Sequence, residues 1–286
     1  MILVATWRRA FRALTFSMLV AAAAPLAAQA VFADAYEGTP CSSAAWSATV
    51  GSGAAGGPAD ATPIARYAGR CAFKTVGVGY TEDTTPNAEL MYRARFYVRP
   101  EVSAGSVFVF EALDDGGTPE VALAYDPLAA AFTLHVEGIT DISIPGAPPN
   151  AWYYVEIRYH ASNIVSVSIQ GAGAGALAIE APSTIVPSPP GIGTTRIGWI
   201  AAASGAPVGA VTVDDFVSTR ALGPIGPLCR GDANGNGLLD QPDYRAATDE
   251  ILARTLAPGT PDCNEDGRID AIDRVCIAKR IGGACP

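Results

Sequence analysis

Two stretches of the sequence place oxygen-bearing side chains at a spacing that can hold a metal ion. Residues 232–243 read DANGNGLLDQPD and residues 262–273 read DCNEDGRIDAID. In the twelve-residue calcium loop, oxygens at positions 1, 3, 5, 9 and 12 and the backbone carbonyl at 7 converge on a hard cation, while glycine at 6 permits the sharp turn. The first stretch supplies Asp232, Asn234, Asn236, the Leu238 carbonyl, Asp240 and Asp243, with Gly237 at the turn. The second supplies Asp262, Asn264, Asp266, the Arg268 carbonyl, Asp270 and Asp273, with Gly267. A single Asp- and Asn-rich run is often only a solvated turn. Two copies 30 residues apart with every ligand position filled point instead to two calcium ions.

From Cys229 onward ten acids face seven bases, and seven of the acids are loop ligands that repel one another until metal arrives. Folding of this part is therefore expected to be coupled to calcium. The first loop offers three carboxylates and the second four, which predicts tighter binding at the second. Position 8 is Leu239 in one loop and Ile269 in the other, which predicts a short β bridge between them. Helices are expected after each loop, with Tyr244, Ile251, Leu252 and Leu256 in the first and Ile272, Val275 and Ile281 in the second, most of them packing the two helices together.

The rest of the chain must position or accompany these loops. Residues 1–30 read as an export signal: Arg8, Arg9 and Arg12 precede an apolar stretch from Ala13 to Ala24 that is too short to span a bilayer, and Ala28-Gln29-Ala30 offers a cleavage site. Cleavage removes three arginines and no acid, so the mature chain is more acidic than the formal net charge of −9. With only two lysines in the chain, a phosphate-binding footprint is absent, which excludes a nucleic-acid partner. All six cysteines lie in the exported part, where an even count predicts disulfides. Cys41 with Cys71 is the natural first pair, and Cys229, Cys263, Cys276 and Cys285 allow three connectivities.

Residues 31–220 show short alternating or apolar runs separated by Gly, Pro, Asn and Asp turns, with Tyr154-Val155-Glu156-Ile157-Arg158-Tyr159 the clearest. Such alternation marks strands with one buried face. The expected strands are Leu90–Val98, Ser106–Leu113, Val121–Tyr125, Ala131–Val136, Trp152–His160, Ile164–Gln170, Arg196–Ala201 and Val211–Val217. Their number favours a mainly β fold, an antiparallel jelly-roll sandwich. The order of ADAYEG (33–38), YRARFYV (92–98), AWYYVEIRYHA (151–161), RIGWIAA (196–202) and VDDFVSTRA (213–221) resembles the concanavalin A-like or laminin G-like jelly rolls of secreted bacterial proteins. Residues 221–228 (ALGPIGPL) read as a linker, and residues 229–286 as a small all-α domain carrying the two calcium loops.

Aspartate at position 12 of both loops, the duplicated format and the lack of a helix entering the first loop make this C-terminal unit resemble a type I dockerin. The resemblance implies a module that folds around two calcium ions and docks onto a cohesin-like partner, usually to place carbohydrate-active enzymes on a scaffold. In dockerins, positions 10 and 11 help to choose the cohesin. Here they are Gln241-Pro242 and Ala271-Ile272, which differ between copies, so an interchangeable two-faced docking mode is not expected.

The sandwich offers no paired carboxylates of the E-x-D-x-x-E kind, by which glycosidases on this fold place an acid and a nucleophile around the scissile bond. Glu111, Asp114 and Asp115 come nearest, and the glycines after them predict a solvated turn. His135 and His160 are expected in packing or surface roles, and Trp46, Trp152 and Trp199 in the core rather than on a sugar-stacking platform. A third cation site is conceivable if Asp34 or Glu37 meets Asp214 or Asp215 at neighbouring first and last strands. The sequence thus predicts a secreted, non-catalytic recognition sandwich for a carbohydrate or protein ligand, with a docking module and no membrane span after signal cleavage. The alternatives are a secreted glycoside hydrolase or polysaccharide lyase carrying the same module, and a structural surface protein with a calcium-stabilised cap.

Overall fold

The structure, a computed structural model, describes residues 30–160, 164–171 and 190–285. The expected export signal lies outside the described residues, apart from Ala30 at the start of the first strand. Among the described residues, twelve strands form the larger part: β1 (Ala30–Asp34), β2 (Ala48–Gly51), β3 (Ala54–Gly56), β4 (Ala72–Val76), β5 (Gly79–Asp83), β6 (Met91–Leu113), β7 (Pro119–Asp126), β8 (Ala131–Val136), β9 (Ile142–Pro145), β10 (Tyr153–His160), β11 (Ile164–Gly171) and β12 (Thr194–Thr219). All their pairings are antiparallel.

Two strands bind the layers together. The runs Leu90–Val98 and Ser106–Leu113, expected as separate strands, belong to one strand of 23 residues, and Arg196–Ala201 and Val211–Val217 to one of 26. Pro100 does not break β6, because pairing with β10 ends at Val98 and pairing with β7 begins at Val107. Between them β6 pairs with no strand but β12, and on the other edge the Pro100 carbonyl accepts from the Asn150 amide at 2.8 Å, so the missing amide hydrogen of Pro100 is tolerated there. One half of each long strand lies in the layer β2-β5-β12-β6-β7-β8-β9, and the other half pairs with β4, β1 and β10. The facing layers meet ring to ring: Phe96 stacks on Phe110 at 5.4 Å, and Phe132 meets Tyr153 edge-on at 5.3 Å. Trp46 and Trp199 are buried in this core, as expected.

A second aromatic cluster of Tyr67, Ala68, Tyr97, Trp152 and Tyr154 forms on the outside of the sandwich, with Leu228 against it. It exists because the chain after β12 returns over this face. The Arg93 guanidinium donates to the Leu222 carbonyl at 2.7 Å. The amides of Ile225 and Gly226 donate to Glu156, and that of Leu228 to the Tyr97 hydroxyl. The segment 221–228 is therefore bound along the sandwich.

The C-terminal unit has two helices, α1 (Gln241–Ile251) and α2 (Ala271–Arg280), each starting one residue after position 9 of a loop. Asp243 and Asp273 in the first turns favour these helix starts through the backbone dipole. Disulfides join Cys229 to Cys285 and Cys263 to Cys276, while Cys41 pairs with Cys71 as expected, leaving no free cysteine. Full pairing is the pattern of a protein that folds in an oxidising, extracellular-type compartment. Among the described residues, no helix is long and apolar enough to cross a membrane.

Two expectations for this unit fail. Its core is small, made of Ala233, Ala247, Ala257, Cys263 and Ile277. The helices turn Ala247 and Ile277 inward, and Ala233, Ala257 and the Cys263–Cys276 bridge fill the rest of the core, which leaves Ile272, Val275, Leu252 and Ile281 exposed. Nor do Leu239 and Ile269 form a β bridge, because the Leu239 carbonyl accepts from the Gly282 amide at 2.8 Å.

Candidate functional site

The two loops fold alike, position for position. In the first, both carboxylate oxygens at position 1 take amides from positions 5 and 6: Asn236 at 3.0 Å and Gly237 at 2.7 Å on Asp232. The Asn234 side chain accepts from the Asn236 amide, and the Asn236 side chain from the Leu238 amide. Position 12 closes the loop, since Asp243 accepts from Asn234 at 3.0 Å and from Asp240 at 2.8 Å. The second loop repeats all six bonds. Asp262 accepts from Asp266 and Gly267, Asn264 from Asp266, Asp266 from Arg268, and Asp273 from Asn264 and Asp270. Gly237 and Gly267 at position 6 have φ of 80° and 81°, where a side chain would be strained.

Every sequence-predicted ligand residue therefore sits in one of two equivalent loops. The side chains of Asp243 and Asp273 are buried, while Leu238 and Arg268 at position 7 expose theirs and take part through backbone. Burial pushes the Asp262 carboxyl up to about 8, the neighbouring Asp273 adds to the rise, and the Gly267 amide opposes it. Asp243 and Asp273 are likewise raised by burial against the pull of their amide donors. None of the seven loop carboxylates has an ion-pair partner among the described residues. Asp240 Oδ1 is buried with no hydrogen-bond donor. An all-oxygen donor set with uncompensated carboxylates and an orphaned buried oxygen suits a hard cation. Among the described residues no three His, Cys, Asp or Glu side chains stand together as a metal cluster, so the loops' asparagines and carbonyls would have to complete any coordination.

The surroundings of the loops differ. Loop 1 exposes Gly235, Asn236, Gly237 and Leu238. Loop 2 rests on the sandwich through Glu265, which is 5% exposed. Its carboxylate accepts from the Tyr67 hydroxyl at 2.8 Å and pairs with Arg230 at 2.8 Å, and its carbonyl accepts from the Trp152 amide at 3.3 Å. Nearby, Arg66 Nη2 reaches both oxygens of Glu250 at 2.7 and 2.6 Å, and the Gly69 amide donates to the Gly259 carbonyl. A buried Asp214 fixes the Tyr67 and Ala68 amides from below at 2.7 and 3.0 Å. Sequence reasoning missed Arg66, Tyr67, Glu250 and Glu265. The one local signal was Glu265 at position 4, where the twin loop has Gly235.

The strands do bring Asp34 beside the end of β12, opposite Phe216. Asp34 accepts from the Tyr36 amide at 3.0 Å and keeps its other oxygen buried without a hydrogen-bond donor, while the acids around it are engaged elsewhere. Asp214 binds three amides, Asp215 pairs with Arg95 at 2.6 Å, and Glu37 accepts from the Arg70 and Cys71 amides. Asp114 closes the β6–β7 hairpin by accepting from Thr118, as the turn reading required. Glu111 belongs instead to the outer face of β6, 3.7 Å from Arg196, which also binds Glu82 at 2.7 Å. Burial raises the Glu111 carboxyl, and Arg196 opposes the rise. Phe108, Glu111, Ala122, His135 and Asp141 line a cleft of about 400 Å³ on this face. There His135 Nδ1 lies 2.7 Å from Asp141.

No protein-family model matches this chain, and no curated protein does. Among solved structures, a Trypanosoma rangeli sialidase complexed with a difluoro-KDN is 20% identical over 54% of this chain and 26% of its own, with a TM-score of 0.41. The receptor-binding domain of botulinum neurotoxin type G is 11% identical over 68% of this chain and 48% of its own, at 0.47. A cellulose-induced protein, Cip1, is 14% identical over 68% of this chain and 100% of its own, at 0.46. The chain spans about a quarter of the length of the sialidase chains it matches. Likenesses of this depth assign no chemistry to it.

Proposed function

We propose that this is an exported, non-catalytic recognition protein: a β-sandwich that takes a carbohydrate or protein ligand, joined to a dockerin-like module that binds two calcium ions and docks onto a cohesin-like partner. The observation that carries the calcium reading is the repetition of all six amide-to-side-chain bonds in the two loops. Calcium would be held by Asp232, Asn234, Asn236, Leu238, Asp240 and Asp243 in one loop, and by Asp262, Asn264, Asp266, Arg268, Asp270 and Asp273 in the other. It would supply the positive charge that the buried carboxylates lack, so the module's stability should follow free calcium.

The exposed Ile272 and Val275 support docking, because large apolar side chains on a small surface helix mark a contact face. Beside them Tyr244, Arg274 and Lys279 line a cleft of about 460 Å³, with the Arg274 guanidinium over the Tyr244 ring at 4.6 Å. A ligand of the sandwich would be taken at the cleft around Phe108 and His135. Three carboxylates line that cleft: Glu111, 3.7 Å from Arg196, Asp141, 2.7 Å from His135 Nδ1, and Glu137.

Calorimetric titration of the full chain with calcium tests the reading. Two ions should bind, Asp243→Ala should abolish one site and Asp273→Ala the other, and the site lost with Asp273 should be the tighter. No heat of binding would overturn the calcium reading, and equal affinities would overturn the ranking.

A further inference from the structure

We propose that Glu265 is a positioning residue for the second ion site, held in place by the sandwich, so that ion loading at loop 2 and seating of the module on Tyr67 and Trp152 are one coupled event; this rests on the calcium reading above. Glu265 lies between two ligand residues, Asn264 and Asp266. Its φ is 59°, a conformation that non-glycine residues avoid, and the equivalent residue of loop 1 is Gly235 at 73°. Such a residue persists where the surroundings over-determine it.

Here three bonds do so: Tyr67 and Arg230 on the carboxylate, and Trp152 on the carbonyl. Tyr67 is itself immobilised by stacking on Tyr97, with ring centroids 3.6 Å apart, and by Asp214 on its amide. A second contact acts at position 6, where a Cβ on Gly267 would come within 2.5 Å of Arg99 Nε.

The amides on either side of Glu265 are those that shape the loop, Asn264 donating to Asp273 and Asp266 to Asp262. A frame that fixes residue 265 therefore presets the ligands at positions 3 and 5, and a preset site binds more tightly because less order is lost on loading. Linkage makes the effect mutual: whatever the seated sandwich adds to ion affinity, the bound ion adds to the seating. In loop 1, Gly235 is exposed and has no side chain to be held in this way; that loop is tied instead through the Gly259 amide on the Ala233 carbonyl, with the Gly69 amide on the Gly259 carbonyl.

The test is a calcium titration of the full chain carrying Tyr67→Phe, which keeps the ring and removes the hydroxyl donor. The tighter or weaker step assigned to loop 2 by Asp273→Ala should weaken about tenfold, the worth of one hydrogen bond to a charged group, with loop 1 unchanged. Two intact sites with neither affinity altered would overturn the coupling alone, whereas no binding at either loop would overturn the calcium reading together with it. Should Tyr67→Phe fail to fold, hydrogen exchange on the unaltered chain decides. Calcium should slow exchange at the Trp152 amide about tenfold, and an unchanged rate would overturn the coupling.

Discussion

Loops 1 and 2 share a spacing of Asp and Asn and a set of internal bonds, yet position 4 is exposed in one and buried against the sandwich in the other. The difference lies at positions 2 and 4, between the shared Asp and Asn residues. At position 4, Gly235 satisfies the left-handed backbone without a side chain, and Glu265 accepts the strain and spends its carboxylate on Tyr67 and Arg230. At position 2, Ala233 packs in the small core of the module, and Cys263 is bridged to Cys276 in the following helix. The spacing of Asp and Asn fixes the shape of a loop, and the residues between them decide what the loop is attached to.

That contrast fails if the module is not seated, and the Arg66–Glu250 pair gives the largest readout. The two side chains are 0% and 8% exposed, and among the described residues Arg66 Nε and Nη1 have no hydrogen-bond partner. Glu250→Ala should destabilise the full chain by about 3 to 5 kcal/mol in denaturant titration, because it strands a buried guanidinium. A loss below about 1 kcal/mol would mean a solvated pair and a module free of the sandwich. A smaller effect sharpens the contrast from the side of loop 1. A Cβ at Gly235 meets nothing closer than 3.6 Å, so Gly235→Ala carries backbone strain alone. It should cost about 1 kcal/mol, measured as a lower denaturation midpoint, and no cost would show that loop 1 does not need its left-handed residue.

Much of this was legible in the sequence, and the limits have physical reasons. The two matching loops could be read because each is local, with every bond spanning fewer than ten residues. The strands were legible from alternation, but the continuity of β6 across Pro100 was not, since tolerance of a proline depends on which neighbour is missing there. The outward turn of Ile272 and Val275 was misread because apolar residues at helical spacing imply a buried face, and here alanines and a disulfide fill the inner side. The seating of loop 2 joins Tyr67 to Glu265 across 198 residues, a separation at which no pattern in one sequence signals contact.

The smallest effect concerns how the chain reaches the loops. Glu156 lies at the centre of the attachment of residues 221–228, accepting from Arg93, from the Tyr154 hydroxyl at 2.5 Å and from the Ile225 and Gly226 amides. Burial alone would raise its carboxyl; the bonds from Tyr154, Arg93 and Gly226 outweigh burial and hold it below the ordinary glutamate value. The unfolded chain then binds this proton more readily than the folded one, so the stabilisation is complete above about pH 4.3 and is lost as pH falls through the lower folded value. Glu156→Gln, which keeps the shape and removes the titration, should flatten the fall in stability below about pH 4.3. In the unaltered chain, protection of the Ile225 and Gly226 amides from exchange, taken relative to their intrinsic rates at each pH, should fall over that same acid range. Because Leu228 leads from this segment onto Tyr97, against which Tyr67 is stacked, acid should loosen the side of the module that carries loop 2 before it disturbs the internal bonds of loop 1. Simultaneous loss of both loops on acidification would break the asymmetry between them.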